Sequence, residues 1–292
     1  MGRKLRVCLF LIGKFYKIKY PMFALLHILG CLCSERVFVQ EVSLLSPYVD
    51  EIGRFLNWKT SGEQVIKAHG RDSFVQLGYS SPNSSGAILA SHPIGSERFG
   101  IDIIIEIEEG EKGEGDEGMA IWISDEDVFS EGNCFGRSCN FKGLLVIIKP
   151  SGKSYIGVKA GDISINTSNI ARNLDRVEYR NFPSGEKFVL RIEQKSYELS
   201  VYLGEPDNLS LVHSFRSNVV KEGDLLGVSA MTDKSSTSFR IVGIESYHLK
   251  STGGVYTKED VHSGGKLIWV LFAGVVFVTA YYLYNIQMKR DN

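Results

Sequence analysis

The clearest pattern in this chain is strict alternation. From Phe99 to Glu108, the residues Ile101, Ile103, Ile105 and Ile107 fall on one face, while Asp102, Glu106 and Glu108 fall on the other. Successive side chains of a β-strand point to opposite faces, so this period of two predicts a strand with one side in a core and the other in water. Comparable runs occupy 119–124, 144–149, 155–159, 188–193, 198–203, 209–215, 226–230 and 239–244. Turn signals separate them: Glu109-Gly110, Pro150 to Gly152, Pro183 to Gly185 and Glu222-Gly223. Helical periodicity is almost absent between Glu41 and Leu249. Many short strands without intervening helices predict an all-β chain folded as one antiparallel β-sandwich.

The two ends read differently. Residues 1–33 are expected to form a cleaved signal peptide. Arg3, Lys4, Arg6, Lys14, Lys17 and Lys19 precede a short apolar run at 23–32, and Cys31, Cys33 and Ser34 supply small residues near a cleavage point. An uncleaved amphipathic arm is the alternative, and Met22 is a second candidate start. Residues 267–286 contain 20 positions without a charge. At about 1.5 Å per helical residue they match a hydrocarbon core roughly 30 Å thick. Trp269 lies near one edge and Tyr281, Tyr282 and Tyr284 near the other, where interfacial aromatics belong. Lys289 and Arg290 follow, which places the tail in the cytosol. The expected order is signal peptide 1–33, β-sandwich 34–249, stalk 250–266, a single transmembrane helix 267–286 and cytosolic tail 287–292. The sandwich then faces the lumen of the endoplasmic reticulum in a type I topology.

Composition narrows the function. Lysine plus arginine number 33 and aspartate plus glutamate 34, for a net charge of −1 among 292 residues. No basic excess is available to neutralise phosphates, which argues against nucleic acid as a partner. Hydrophobic residues make up 43% and charged residues 23%, an ordinary globular composition. A mean hydropathy of −0.04 excludes a multispanning membrane protein. After signal removal only Cys134 and Cys139 remain. In an oxidising lumen they either bridge locally or stay as two free thiols. Sequons at Asn83, Asn166 and Asn208 are candidates for N-glycans. A glycosidase would need two carboxyl groups facing each other across a groove. Glu106 and Glu108 share a strand face, but flanking isoleucines favour a solvated outer face for them. No nucleophile elbow, phosphate loop or His-Glu-x-x-His helix is present, and the six histidines show no metal-ligand spacing.

The segment Gly118-Met-Ala-Ile-Trp-Ile-Ser124, then Glu131-Gly-Asn-Cys-Phe-Gly136, then Phe141-Lys-Gly143 resembles the L-type (legume-like) lectins that cycle between endoplasmic reticulum and Golgi. Phe74-Val-Gln-Leu77 and Ser85-Gly-Ala-Ile-Leu89 look like the family's two early strands, and Trp58 stands where it has a tryptophan. Phe188-Val-Leu-Arg-Ile192 and Gly227-Val-Ser-Ala230 also fit. The resemblance covers residues 42–249 and implies a concanavalin-like sandwich, or jelly roll. It implies a cargo receptor for secretory glycoproteins in transport from endoplasmic reticulum to Golgi, with high-mannose glycans as ligands. It further implies residence in the endoplasmic reticulum, the intermediate compartment and the Golgi, and vesicle coat proteins as partners of the tail through Lys289 and Arg290.

By this resemblance the carbohydrate-binding positions fall at Asn83, Asp116, Glu117 and Asp233. The family also uses calcium, and there the match fails: Lys149 and Lys153 stand at two ligand positions. Calcium takes six to eight oxygen ligands, whereas an ammonium group offers only donors. No metal or other cofactor is therefore expected. A remodelled loop that brings Asp162 or Asp175 to the ion is the alternative. The family's own disulfide positions align near Val177 and Ser214. Loss of the ligands leaves a second function open, a scaffold or protein-cargo partner that binds no sugar. A glycan-cleaving enzyme is a third, and it lacks the opposed carboxylates.

Overall fold

The computed structural model describes residues 36–70, 72–110, 115–130, 132–165, 167–195 and 197–250. The expected signal peptide, the transmembrane helix, nearly all of the stalk, Lys289, Arg290 and Asn166 lie outside the described residues. Among the described residues, no helix is long and apolar enough to cross a membrane.

The strands are β1 (Arg36–Phe38), β2 (Trp58–Gly62), β3 (Gln64–Lys67), β4 (Phe74–Leu77), β5 (Ser85–Ala90), β6 (Phe99–Glu108), β7 (Gly118–Ser124), β8 (Asn140–Lys149), β9 (Tyr155–Ser164), β10 (Arg176–Tyr179), β11 (Lys187–Lys195), β12 (Glu198–Glu205), β13 (Asn208–Phe215), β14 (Leu225–Met231) and β15 (Ser238–Leu249). They form two antiparallel sheets. One runs β13-β12-β11-β6-β15-β4-β3, with β1 paired to the far half of β15; the other runs β10-β9-β8-β7-β14-β5-β2. This is the sandwich that the alternation predicts.

The main core lies between the sheets. Ile101, Ile103, Ile105 and Ile107 of β6 are fully buried there with Ile121, Ile123, Leu144, Val146 and Ile148. Each such side chain contributes roughly 1.5–3 kcal/mol by leaving water. The opposite face of β6 departs from expectation. Asp102 and Glu106 are only 16% and 15% exposed, because arginines stand directly across from them in register. Arg191 on β11 grips Asp102 with two bonds of 2.6 and 2.7 Å, and Arg240 on β15 donates to Glu106 at 2.8 Å and also contacts Glu108. The expected solvated carboxylates are thus held in cross-strand ion pairs.

A second core covers the outer side of β7, β8 and β9. The apolar run of β7 is buried on both faces: Ile121 and Ile123 point into the sandwich, while Ala120 and Trp122 pack under residues 129–141 and 170–177. Cys134 and Cys139 form a disulfide. The five-residue step between them carries Arg137, only 2% exposed, whose guanidinium lies 4.3 Å from the Trp122 ring and 4.2 Å from Phe141. Its Nη2 donates to Ser124 Oγ (3.0 Å) and Glu126 Oε2 (2.8 Å). Trp122 fits because Gly227 on β14 has no Cβ; one would lie 2.3 Å from the indole.

Candidate functional site

Four connections line a cavity of about 770 Å³: residues 109–110 and 115–117 between β6 and β7, and the segments between β8 and β9, β10 and β11, and β14 and β15. A fifth, between β4 and β5, braces them. Thr232, at the end of β14, is the fastening point. Its Oγ1 accepts from Ser84 N (2.9 Å) and donates to Ser81 O (2.6 Å), while its own N–H donates to Ser84 O (2.9 Å). Ser84 is buried, accepts from Tyr79 N at 2.5 Å and contacts Glu63. A turn rich in serine therefore holds its shape through side-chain bonds to backbone.

Three of the four positions singled out in the sequence, Asp116, Glu117 and Asp233, line this cavity, and Asn83 is bonded to one of them. Asn83 N donates to Asp233 O (2.9 Å), and Asp116 N donates to Asp233 Oδ2 (3.2 Å). Asp116, Glu117 and Asp233 line the cavity together. Glu117 is 2% exposed, and its Oε2 is buried without a hydrogen-bond partner. Gly115 packs closely over that carboxylate: a Cβ there would stand 3.1 Å from Glu117 Oε2 and 3.0 Å from Lys234 N.

Lys149 ends β8 with its side chain mostly covered, and its Nζ donates to Asp116 Oδ1 at 2.5 Å. Lys153 is not brought to this cluster; it is exposed on the β8–β9 turn. Asp162 and Asp175 do not approach either. Asp162 faces Lys142, at the opposite end of β8 from Lys149, and Asp175 accepts from Ala160 N and pairs with Lys159. Among the described residues, no three His, Cys, Asp or Glu side chains gather as a cation site. The donor set that calcium requires is thus not assembled by these residues. Val177 and Ser214 carry no cysteine; Val177 packs on the second core and Ser214 bonds to Ser200 and Glu198.

Several lining residues were not visible in the sequence. Glu109, Ser154 and Asn181 reach the cavity only because the sheets bring distant turns together. Tyr155, opposite Lys149 across the β8–β9 ladder, is buried. Burial, then the nearby Asp116 and Tyr179, push its phenol up to about 12, so it stays protonated below that pH. A cavity lined by the carboxylates of Glu109, Asp116, Glu117 and Asp233, with one phenol and the ammonium groups of Lys149 and Lys234 nearby, suits a ligand rich in hydroxyl groups.

The sandwich and its end-on cavity define a lectin-type carbohydrate-recognition fold, and a family model described as the legume-like lectin family matches residues 35–253. The chain belongs to the legume-like lectin family. Among solved structures it is similar to the Ca2+-bound VIP36 exoplasmic/lumenal domain, at 20% identity and a TM-score of 0.61, covering 76% of this chain and 96% of that one. The Ca2+/Man-bound form of that domain gives 19% identity, a TM-score of 0.62, and coverage of 75% and 94%. The Emp47p carbohydrate recognition domain gives 16% identity, a TM-score of 0.60, and coverage of 72% and 96%. No curated protein sequence matches.

Proposed function

We propose that this chain is a membrane-anchored lectin-like cargo receptor that binds mannose-type glycans without calcium. The observation that carries this reading is Glu117: a buried carboxylate oxygen at the cavity that lacks a donor. A buried acceptor left unpaired is costly, and a sugar hydroxyl removes that cost. Asp116 and Asp233 add acceptors along the same cavity. VIP36 structures in complex with Ca2+ and mannose give the ligand class its precedent. Here the Lys149 ammonium neutralises Asp116 in place of a metal ion. The apolar stretch 267–286 and the basic Lys289-Arg290 tail support a type I topology, residence in the early secretory pathway and sorting by vesicle coats between endoplasmic reticulum and Golgi. Secretory glycoproteins are then the cargo.

The test is titration of a mannose-type oligosaccharide with the full chain, with calcium and with chelator. Equal affinity in both buffers is expected. Glu117→Gln keeps the shape but swaps an acceptor for a donor, and it should weaken binding about tenfold or more. Binding that needs calcium, or that ignores Glu117→Gln, overturns this reading.

One observation favours a second reading. Asp116 is already matched by Lys149, so part of the acceptor set is occupied and the domain instead serves as a scaffold for protein cargo. Absence of glycan binding in both buffers, with co-purification of a secretory protein that survives enzymatic deglycosylation, selects it.

A further inference from the structure

We infer that Asn83 is an N-glycosylation site and that its glycan occupies the protein's own cavity, a built-in competitor for cargo glycans. This rests on the glycan-binding reading above. Asn83-Ser84-Ser85 is a sequon, and the structure ties its first residue to the cavity-lining Asp233 through the backbone. Asn83 is exposed in the β4–β5 connection, with a left-handed φ of 56° that asparagine adopts more readily than most residues. Among the described residues its carboxamide has no hydrogen-bond partner. Its backbone N–H is bonded to Asp233 O at 2.9 Å, and Asp233 lines the cavity. Ser84, the middle residue, is buried and bonded, so the turn is fixed while Asn83 remains accessible. Ser85 is exposed at the start of β5. A glycan joined to the Asn83 nitrogen therefore starts one backbone hydrogen bond away from a lining residue.

The consequence is arithmetic. A ligand on a short flexible tether acts at an effective concentration on the order of 1 mM. If the cavity binds a free mannose-type glycan with a dissociation constant of about 0.1 mM, the tethered one lowers apparent affinity for cargo roughly tenfold. Multivalent or more tightly bound cargo overcomes this; sparse glycans do not.

The experiment uses the full chain made in a eukaryotic secretory host. The peptide carrying Asn83 is analysed by mass spectrometry, and mannose-type oligosaccharide binding is titrated for the wild type, Asn83→Gln and Ser85→Ala. Ser85→Ala abolishes the sequon but keeps the Asn83 carboxamide, so it separates loss of the glycan from loss of the side chain. We expect an occupied Asn83 in the wild type and roughly tenfold tighter binding for both variants. An unmodified Asn83 overturns the inference and leaves the glycan-binding reading standing. An occupied Asn83 with variants that bind like the wild type overturns it too. An occupied Asn83 with no oligosaccharide binding by any form overturns it through failure of the glycan-binding reading itself.

Discussion

Lys149 Nζ lies 2.5 Å from Asp116 Oδ1, with the lysine side chain 19% exposed and the aspartate 83%. The pair bridges the end of β8 to the segment before β7, so a cation supplied by the chain holds a cavity wall. Because the aspartate is largely in water, the pair itself adds little stability; exposed ion pairs typically contribute about 0.2–1 kcal/mol. Its importance is positional.

From this follows insensitivity to calcium. The melting temperature of the full chain should be unchanged between millimolar calcium and chelator. An ion bound at 100 times its dissociation constant would add roughly 2.7 kcal/mol, a shift of about 2–4 °C for each kcal/mol in a domain of this size. The variant Lys149→Asp replaces the ammonium beside Asp116 with oxygen donors and should show the first calcium-dependent shift. An equal rise in the unaltered chain defeats the reading.

Acid sensitivity is tied to Glu193. Burial acts to raise its carboxyl, but bonds from Lys195 and Tyr247 and the charge of Arg36 outweigh it, and the net shift is downward from 4.5. A carboxyl lowered in the folded state adds stability above its unfolded value, and that stability is lost as pH falls through the folded value. Thermal scans from pH 7 to pH 3 should therefore show a steep loss beginning below about 4.5. Glu193→Gln should cost about 1–2 kcal/mol at pH 7 and flatten this acid limb. A variant whose acid limb keeps the wild-type slope would contradict the assignment.

The loop closed by Cys134 and Cys139 predicts a separation of stability from binding. Arg137→Ala removes a buried cation stacked on Trp122 and Phe141 and should cost about 3 kcal/mol. Cys134→Ser with Cys139→Ser should cost roughly 2 kcal/mol, as expected for a short closed loop. Neither loop cysteine nor Arg137 lines the cavity, so oligosaccharide affinity should stay within about twofold at temperatures well below melting. Affinity that falls in step with stability would show that the loop shapes the site.

The sequence reveals the sandwich because its central strands alternate or run apolar over many residues. β6, β8, β11 and β15 are legible for that reason. β1, β3 and β10 are not: they have three or four residues each, mostly polar or exposed, and lie beside an edge or at one. Short polar strands carry too few residues to establish a period, and edges favour such strands because long apolar ones aggregate. The site is half legible. Asn83, Asp116, Glu117 and Asp233 are found through family resemblance, and the structure does bring them together. Glu109, Ser154 and Asn181 have no local signal, since their meeting is a property of sheet order. Arg137 is likewise hidden, because a cation in a polar loop gives no sign that two aromatic rings will enclose it.

β15 has one more consequence. It begins at Ser238, next to the lining residue Thr237, and ends at Leu249, paired with Arg36 where the described chain begins. Twelve residues of strand amount to roughly 35–40 Å. Both exits of the domain are thus gathered at one pole and the cavity at the other, with a single strand as the shaft between them. Force or orientation applied at Leu249 reaches the cavity end of the domain along this one strand, which is paired on both sides by β6 and β4.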